Sequence, residues 1–264
     1  MPSKDQVFIL VGSTARFIPQ RDEEILGPAN IIGIIVDPKP PAVQIPLIYC
    51  NICGVNWLVG EKGPEAAADH PLHYTLDHIY QGTSRSLVVF IDGACPANGP
   101  AALQASIGVY FGPQSPKNIS RLINTIRPTN QLAEITAALE AMRQVRSTIV
   151  PERRALLKSS LPRNSRHAFS MRDPNHFQLI LATDSSYLVD CMCEFMPQWT
   201  FNETKRVYCN RRGDVIKNSE GFKMLYEETE LLSAVSVQVQ WYYIPRGHNY
   251  KADALANAAL RKRR

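Results

Sequence analysis

The sequence lacks long apolar runs and has few cysteines, and both absences exclude classes of protein. No apolar stretch in its 264 residues approaches the ~18 residues of a membrane-spanning helix. Six cysteines are too sparse for a disulfide scaffold, and we interpret them as reduced intracellular thiols. The first residues, MPSKDQVFILVGSTARF, lack a small-residue cleavage site, so we expect no secretory or transit peptide. We therefore expect a globular protein of the nucleus or cytoplasm.

Positive charge is nearly absent from the first third of the chain and abundant afterwards. Residues 1–84 hold 5 Lys and Arg against 9 Asp and Glu, a net charge of −4. Residues 85–264 hold 24 Lys and Arg against 15 Asp and Glu, a net charge of +9. A basic half beside an acidic half indicates a polyanionic partner such as nucleic acid. A surface tuned only for solubility is the alternative explanation.

Hydrophobic periodicity divides the chain at the linker-like segment QGTSRS, residues 81–86. Before it, three apolar runs broken by prolines predict short strands, namely VFILV, NIIGIIV and VQIPLIYC. After it, the pattern predicts the order β-β-β-α-β-α-α-β-α, from the strand LVVFI at 87–91 to a final helix NYKADALANAALRKRR. Such alternation is typical of a mixed sheet with helices on its faces.

One segment of the second region does not fit this alternation. Residues 151–176 carry six Lys and Arg, two acids and three prolines, which indicates a basic, mobile insertion. The prediction is therefore an N-terminal extension of unknown role over 1–84, and a catalytic domain over 85–264 with this insertion. Whether the extension packs on the domain stays open.

Four acidic residues follow strands or begin helices of the predicted sheet. Asp92 ends the strand LVVFI and Asp184 directly follows LILAT, while Glu134 is placed in the first turn of one helix and Asp253 near the start of another. At one edge of the sheet they could face the same cleft. Four carboxylates repel one another, and two hard cations such as Mg²⁺ would hold them and could clamp a phosphodiester. Acids at these places are also common as turn formers and helix caps.

The words around these acids are FIDGACPANG, RPTNQLAEITAALEAM, LATDSSYLV and KADALANAA. Together they resemble the ribonuclease H family, type 1 cellular branch, over about residues 86–262. The resemblance implies an α/β fold, a ribonuclease H-like mixed five-stranded sheet flanked by helices, here with a β-rich N-terminal extension. It also implies an endonuclease that hydrolyses the RNA strand of RNA–DNA hybrids with two Mg²⁺ ions, for which Mn²⁺ can substitute. We expect this enzyme to be a monomer.

Family roles carry over to matching residues. The resemblance implies that Asp92 bridges both ions, that Asp253 completes the site that activates water, and that Glu134 and Asp184 serve the leaving 3′ oxygen. Other family positions bind substrate. Arg127, Thr129 and Asn218 match a DNA-phosphate pocket, and the residues that match RNA-strand contacts, including 2′-hydroxyls, are Asn98, Asn130 and Gln131.

Residues at the position of the family's basic protrusion are Trp199, Lys205, Arg206, Arg211 and Arg212, although a solvated basic loop explains them as well. Two alternatives share the fold: a non-catalytic hybrid-binding protein, and another nuclease or recombinase. The retained acids argue against the first, and the TNQ word argues against the second.

The chain departs from the family before its last acid. Members often carry a long mobile loop with a histidine about ten residues before that acid. Here His248 lies only five residues before Asp253, so an auxiliary role for His248 and a plain turn both remain open. Asn249 matches the asparagine that precedes the last acid in the family. The aromatic-rich hybrid-binding module found at the start of many eukaryotic members is also missing.

The N-terminal extension contains one C-x-x-C pair, Cys50 and Cys53, followed by His70, His73 and His78. These residues could form a Cys₂His₂ zinc site, but only one C-x-x-C pair is present and the gap from the cysteines to the histidines is long. Buried cysteines and surface histidines explain the pattern better, and we expect no zinc there.

Overall fold

A mixed eight-stranded sheet organises the computed structural model, which describes residues 15–16, 47–50, 53–58, 86–97, 102–160 and 177–262. A separate two-stranded hairpin lies outside this sheet. The sheet strands are β1 Ala15–Arg16, β2 Leu47–Cys50, β3 Val55–Leu58, β4 Ser86–Ala94, β5 Ala105–Tyr110, β6 Ile119–Ile123, β7 Phe177–Thr183 and β10 Val237–Tyr243; the hairpin strands are β8 Thr200–Asn202 and β9 Val207–Cys209.

Five of the eight strands form the predicted sheet. Strand β5 pairs antiparallel with both β4 and β6, and β7 pairs parallel with both β4 and β10. The spatial order is therefore β6-β5-β4-β7-β10. The central strand β4 is apolar on both faces because helices cover both sides of a parallel sheet. The predicted fold class, a ribonuclease H-like mixed sheet flanked by helices, is confirmed.

The three further strands come from the N-terminal extension. Strand β3 pairs antiparallel with the start of β4, with Trp57 opposite Leu87, and β2 pairs with β3. Strand β1 adds two residues parallel to β10 at the far edge. The sheet therefore has eight strands, where five were predicted. Of the three apolar runs in the extension, VFILV and NIIGIIV lie outside the described residues.

Five α-helices are present in the described part of the chain, and two of them continue into other helical turns. Helix α1 runs through a π-helical turn, Val145–Ile149, into α2, and α3 runs through a π-helical turn, Cys191–Phe195, into a 3₁₀ turn, Met196–Gln198. A 3₁₀ turn, Arg246–His248, precedes α5. The helices are α1 Asn130–Gln144, α2 Val150–Ser160, α3 Ser186–Asp190, α4 Ser219–Ser233 and α5 Tyr250–Arg261. None of the described helices is long and apolar enough to cross a bilayer.

The predicted mobile insertion is wrong for its first part. Residues 151–160 belong to α2, and only 161–176 lie outside the described residues. The segment PERRALLK suits a helix because proline is tolerated in the first turn and the following residues are good helix formers. The buried Arg153 guanidinium also lies 4.8 Å from the centroid of the Phe177 ring, which anchors α2 to the sheet.

Candidate active site

Asp92 and Asp184 stand side by side at the carboxyl ends of two parallel strands. Phe90 of β4 lies opposite Ala182 of β7. The same register carried two residues further brings Asp92 level with Asp184. Asp92 is buried, with 8% of its surface exposed, and Asp184 is half-buried. The parallel pairing explains how two acids 92 positions apart in sequence reach one place.

Glu134 joins them because Gly93 has no side chain. A Cβ at position 93 would come within 2.3 Å of the Glu134 backbone nitrogen and 2.4 Å of the Ala133 carbonyl carbon. Real Cβ atoms do not approach backbone so closely, so glycine is required for α1 to rest on β4 beside Asp92. Glu134 is the fifth residue of α1 and lies in its second turn, which corrects the predicted first-turn position.

Asp253 reaches the same place through a second close contact. Gly108 of β5 pairs with Asp92 across the sheet. A Cβ on Gly108 would come within 2.0 Å of the Ala252 carbonyl oxygen and 2.6 Å of the Ala256 nitrogen. Helix α5 therefore packs directly on the strand next to Asp92, and Asp253 lies in its first turn, as predicted.

Burial and the neighbouring acids raise the pKa of Asp92 to about 7. Desolvation is the largest cause, followed by the negative charges of Asp184 and Asp253, and Glu134 adds a smaller effect. A hydrogen bond from the Gly93 backbone opposes the shift. All four predicted acids therefore interact electrostatically, and Asp92 lies at their centre.

Glu134 is held by a hydroxyl from the strand end that carries Asp184. The Ser185 hydroxyl donates a short hydrogen bond to the Glu134 carboxylate and accepts one from the Leu188 amide at 3.2 Å, which caps α3. Burial raises the pKa of Glu134, and this hydrogen bond lowers it. The charge of Asp184 raises the pKa further, while the positive charge of Arg246 lowers it.

These carboxylates fit a divalent cation by donor chemistry and by charge. Hard oxygen donors suit Mg²⁺, and their mutual repulsion falls when a cation lies among them. In the described ranges no three Asp, Glu, His or Cys side chains are grouped tightly enough to hold one ion. The carboxylates therefore suit a divalent cation by their chemical type and by their location at one end of the sheet, but the described side chains do not form a complete coordination site.

The residues matched to the phosphate pocket occupy different environments. Arg127 is exposed at the end of the β6–α1 connection. Thr129 caps α1 by accepting a hydrogen bond from the Leu132 amide at 3.1 Å. Asn218 stands before α4 in the left-handed conformation, with φ 59°, and its buried Nδ2 atom has no hydrogen-bond partner in the structure.

The residues matched to RNA contacts are described in part. Asn98 lies outside the described residues. Asn130 and Gln131 begin α1 and are half-buried, and the buried Oε1 atom of Gln131 has no hydrogen-bond partner in the structure. Both residues precede Glu134 by one helical turn, so they share its end of the helix.

The segment at the position of the basic protrusion contains a folded hairpin, β8–β9, where a solvated loop was the alternative explanation. Lys205, Arg206, Arg211 and Arg212 are exposed on it or just after it. Trp199 instead packs inward, with its ring centroid 5.2 Å from that of Phe222. Trp199 is thus part of the support of the hairpin.

The short connection before Asp253 is a tight turn. His248 is buried there, and its amide donates to the Pro245 carbonyl oxygen at 2.8 Å. Asn249, the next residue, is 1% exposed, and its Nδ2 atom donates to the Asp184 carboxylate at 2.6 Å and to the Ile91 carbonyl oxygen at 2.9 Å.

Sequence reasoning missed two residues around the acids, Ser185 and Arg246, and it matched Asn249 to a family asparagine without predicting its contacts. The signal for Ser185 is its place directly after Asp184, and that for Asn249 is its spacing of four residues before Asp253. Arg246 has no comparable signal, because only the fold brings the turn near α1.

The cysteine pair of the extension makes a local contact. The Cys53 amide donates to the Cys50 sulfur at 3.4 Å, and both thiols are free. His70, His73 and His78 lie outside the described residues, so the structure does not test a zinc site.

Known proteins that are similar to this chain in sequence include several ribonucleases H. Ribonuclease H1 of Rattus norvegicus is 28% identical over 213 residues, which cover 76% of this chain and 62% of the rat protein. Ribonuclease H1 of Homo sapiens is 29% identical over 67% of this chain and 50% of its own length. Ribonuclease H of Rickettsia canadensis is 28% identical over 64% of this chain and 86% of its own length. No protein-family model matches the chain.

Solved structures with a similar fold include LC11-RNase H1, isolated from compost by a metagenomic approach. It is 16% identical, with a TM-score of 0.42, and the match covers 67% of this chain and 96% of that structure. The named sequence relatives, together with the four acid-bearing words, support assignment of this chain to the ribonuclease H family. The chain matches less than two thirds of the length of the mammalian relatives.

Proposed function

We propose that the protein is a metal-dependent endonuclease that hydrolyses the RNA strand of RNA–DNA hybrids. The observation that carries the proposal is the convergence of Asp92, Glu134, Asp184 and Asp253 at one end of the sheet. The sequence relatives are named ribonucleases H, which makes a hybrid the first substrate to test.

The carboxylates would hold two Mg²⁺ ions, which supply Lewis acidity toward a phosphodiester and lower the pKa of bound water. Strand β4 holds Asp92 opposite Gly108 of β5 and next to the end of β7, and Asp92 would help to hold both ions. Glu134 and Asp184 would serve the side of the leaving 3′ oxygen. The two acids are held near each other because Ser185, which follows Asp184 in the chain, donates a hydrogen bond to Glu134. Asp253, on a different helix, would serve the side of the attacking water.

Groups at the same end of the sheet would bind and orient the hybrid. The exposed Arg127 guanidinium can take a phosphate bidentately. Asn130 and Gln131 carry amides that can both donate to and accept from a 2′-hydroxyl, which distinguishes RNA from DNA. The exposed cations of the β8–β9 hairpin would add attraction for the backbone without reading sequence.

A panel of duplexes tests the proposal. Purified full-length protein is incubated with labelled RNA–DNA, RNA–RNA and DNA–DNA duplexes, with Mg²⁺, Mn²⁺ or EDTA. We expect cleavage of the RNA strand in the hybrid alone, with either ion and not with EDTA. Glu134→Gln should abolish cleavage, whereas the matched Glu152→Gln should not, because the exposed Glu152 only pairs with Lys117 at 2.9 Å.

Two outcomes would favour the alternatives. Hybrid binding by the wild type without cleavage under any metal condition would indicate a non-catalytic hybrid-binding protein. Cleavage of DNA–DNA at a rate equal to that of the hybrid would indicate another nuclease of the same fold.

A further inference from the structure

Asn249 makes contacts that its position in the chain does not require. It occupies the residue before α5, where an asparagine side chain usually accepts a hydrogen bond from the first turn of the helix. Its side chain makes no such bond. The carboxamide instead points away from its own helix, toward the ends of β4 and β7.

One nitrogen of that carboxamide joins two acid-bearing strands. Nδ2 donates to the Asp184 carboxylate at 2.6 Å and to the carbonyl oxygen of Ile91, the residue before Asp92, at 2.9 Å. The Asn249 carbonyl oxygen also accepts the Asp253 amide at 3.0 Å, as part of the first turn of α5. A single residue therefore connects the elements that carry Asp92, Asp184 and Asp253.

The orientation of the carboxamide follows from its acceptors. Both partners of Nδ2 are oxygen atoms, so the reversed amide would bring its own oxygen against a carboxylate and a carbonyl. In the observed orientation Oδ1 is buried and has no hydrogen-bond partner in the structure. A buried acceptor left without a partner is destabilising, so the position is not optimised for stability alone.

We infer that Asn249 is a positioning residue that fixes the rotamer of Asp184 and the spacing between Asp92, Asp184 and Asp253 for binding of divalent cations. The inference rests on the proposed function, and it adds a residue that touches a metal-binding carboxylate without itself being a ligand. Outer groups that orient ligands in this way typically change metal affinity or activity by roughly 10- to 100-fold when they are removed.

The test compares Asn249→Ala and Asn249→Asp with Asn118→Ala. Asn118 is a matched control, because its side chain also makes two hydrogen bonds, here both with backbone: it accepts from the Phe111 amide at 2.7 Å and donates to the Gly112 carbonyl oxygen at 2.9 Å. It lies at the β5–β6 turn, at the opposite end of β5 from the acids. Asn249→Asp keeps the shape and suits a helix N-terminus, so it provides a variant that folds if the alanine variant does not.

Two readouts are measured on full-length protein. The first needs no substrate: the rise in Tm is recorded as Mg²⁺ is titrated. The second is hybrid cleavage as a function of Mg²⁺ and of hybrid concentration. Both Asn249 variants should need roughly tenfold or more Mg²⁺ for the same effect and should lose kcat with KM for hybrid unchanged. Asn118→Ala should lose stability with wild-type Mg²⁺ dependence.

The outcomes separate this inference from the proposed function. Wild-type Mg²⁺ dependence in both readouts for Asn249→Asp would overturn the inference, whatever its Tm. A wild type that is stabilised by Mg²⁺ but cleaves no hybrid would overturn the proposed function, while the Tm titration would still decide the role of Asn249. A wild type that shows neither response would overturn both.

Discussion

The two halves of β4 differ in the strands that they pair with, in whether they carry a recognisable family motif, and in the expected effect of mutations. The second half, from Phe90 to Ala94, pairs with β5 and carries Asp92, and it lies within the words shared with the ribonuclease H family. The first half pairs with β3 from the N-terminal extension, a segment without such a motif. We call the second half, with Asp92, the chemical half, and the first half, with its partner β3, the supporting half. Mutations in the two halves should produce different phenotypes.

The supporting half makes contacts through several residues of the extension. Trp57 is buried in the main core, with its ring centroid 6.4 Å from that of Phe177. The Asn56 amide donates to the Phe111 carbonyl oxygen at 2.8 Å, and the Ser115 hydroxyl donates to the Gly54 carbonyl oxygen at 2.5 Å. We propose that the described parts of the extension are structural parts of the catalytic domain.

The largest expected effect is on activity at the chemical half. Asp92→Asn should reduce hybrid cleavage by about a thousandfold or more, because the charge that balances the cations is lost. Folding and hybrid binding should be retained. Cleavage rates under single-turnover conditions, beside a circular dichroism melt, check both statements, and a rate within tenfold of wild type would count against the central role of Asp92.

A core truncation in the supporting half should instead act on stability. Trp57→Ala should lower the free energy of unfolding by about 3–5 kcal/mol, which is typical of a buried aromatic residue replaced by alanine. The kcat of the molecules that remain folded should stay near wild type. Denaturant unfolding measures the free energy of unfolding, and kinetics normalised to the concentration of folded protein measure kcat. Trp57→Phe is the milder control. Loss of kcat without loss of stability would place Trp57 in the catalytic machinery.

The two halves should also differ in their response to pH without metal. The pKa of Asp92 is about 7 in the folded protein against an ordinary value of 3.8, so the folded state holds an extra proton between these pH values. Stability should therefore fall as pH rises from about 4 to 7, by up to about 4 kcal/mol, and the Asp92→Asn variant should lack this loss.

Melts in EDTA at pH 5 and pH 8 measure this difference, and Trp57→Phe should keep the wild-type dependence on pH. Addition of Mg²⁺ should restore wild-type stability at pH 8, since the cation replaces the proton. A wild-type Tm in EDTA that does not fall between these pH values would show that the acids do not repel one another as described.

The smallest expected effect concerns the substrate groove. Arg127→Ala should weaken hybrid binding and reduce the slope of log K against log salt by about one, because one phosphate contact is lost. Binding titrations between 50 and 200 mM salt, in EDTA to prevent cleavage, measure the slope. An unchanged slope would remove Arg127 from the proposed phosphate pocket.

Much of the chemical half could be predicted because its signals are local. Asp92 lies near the end of β4, Asp184 directly follows β7, and the other two acids lie near the starts of helices. Gly93 follows Asp92 in sequence. Glu134 was placed one turn too early because helix starts are poorly defined by pattern. The contacts of Asn249 and Arg246 depend on how the turn before α5 sits against β7 and α1, and no local pattern encodes that.

The supporting half was harder to predict for a different reason. The run VQIPLIYC predicts a short strand at most, and no strand was predicted for VNWL, which forms β3. Pairing between β3 and β4 joins residues about thirty positions apart. Such pairing depends on the free energy of the whole sheet and not on local propensity. The helix over 151–160 was missed because the prolines and charges around it dominated the composition of the segment.

The central claim is that the acids around Asp92 direct metal-dependent hydrolysis of the RNA strand, and product-end analysis tests it most directly. Wild type and Asp92→Asn are incubated with a hybrid in Mg²⁺, and the termini of the RNA products are identified by mass spectrometry. The account predicts 3′-hydroxyl and 5′-phosphate ends from wild type and no products from Asp92→Asn. Products with 2′,3′-cyclic phosphate ends, or equal products from both proteins, would contradict it.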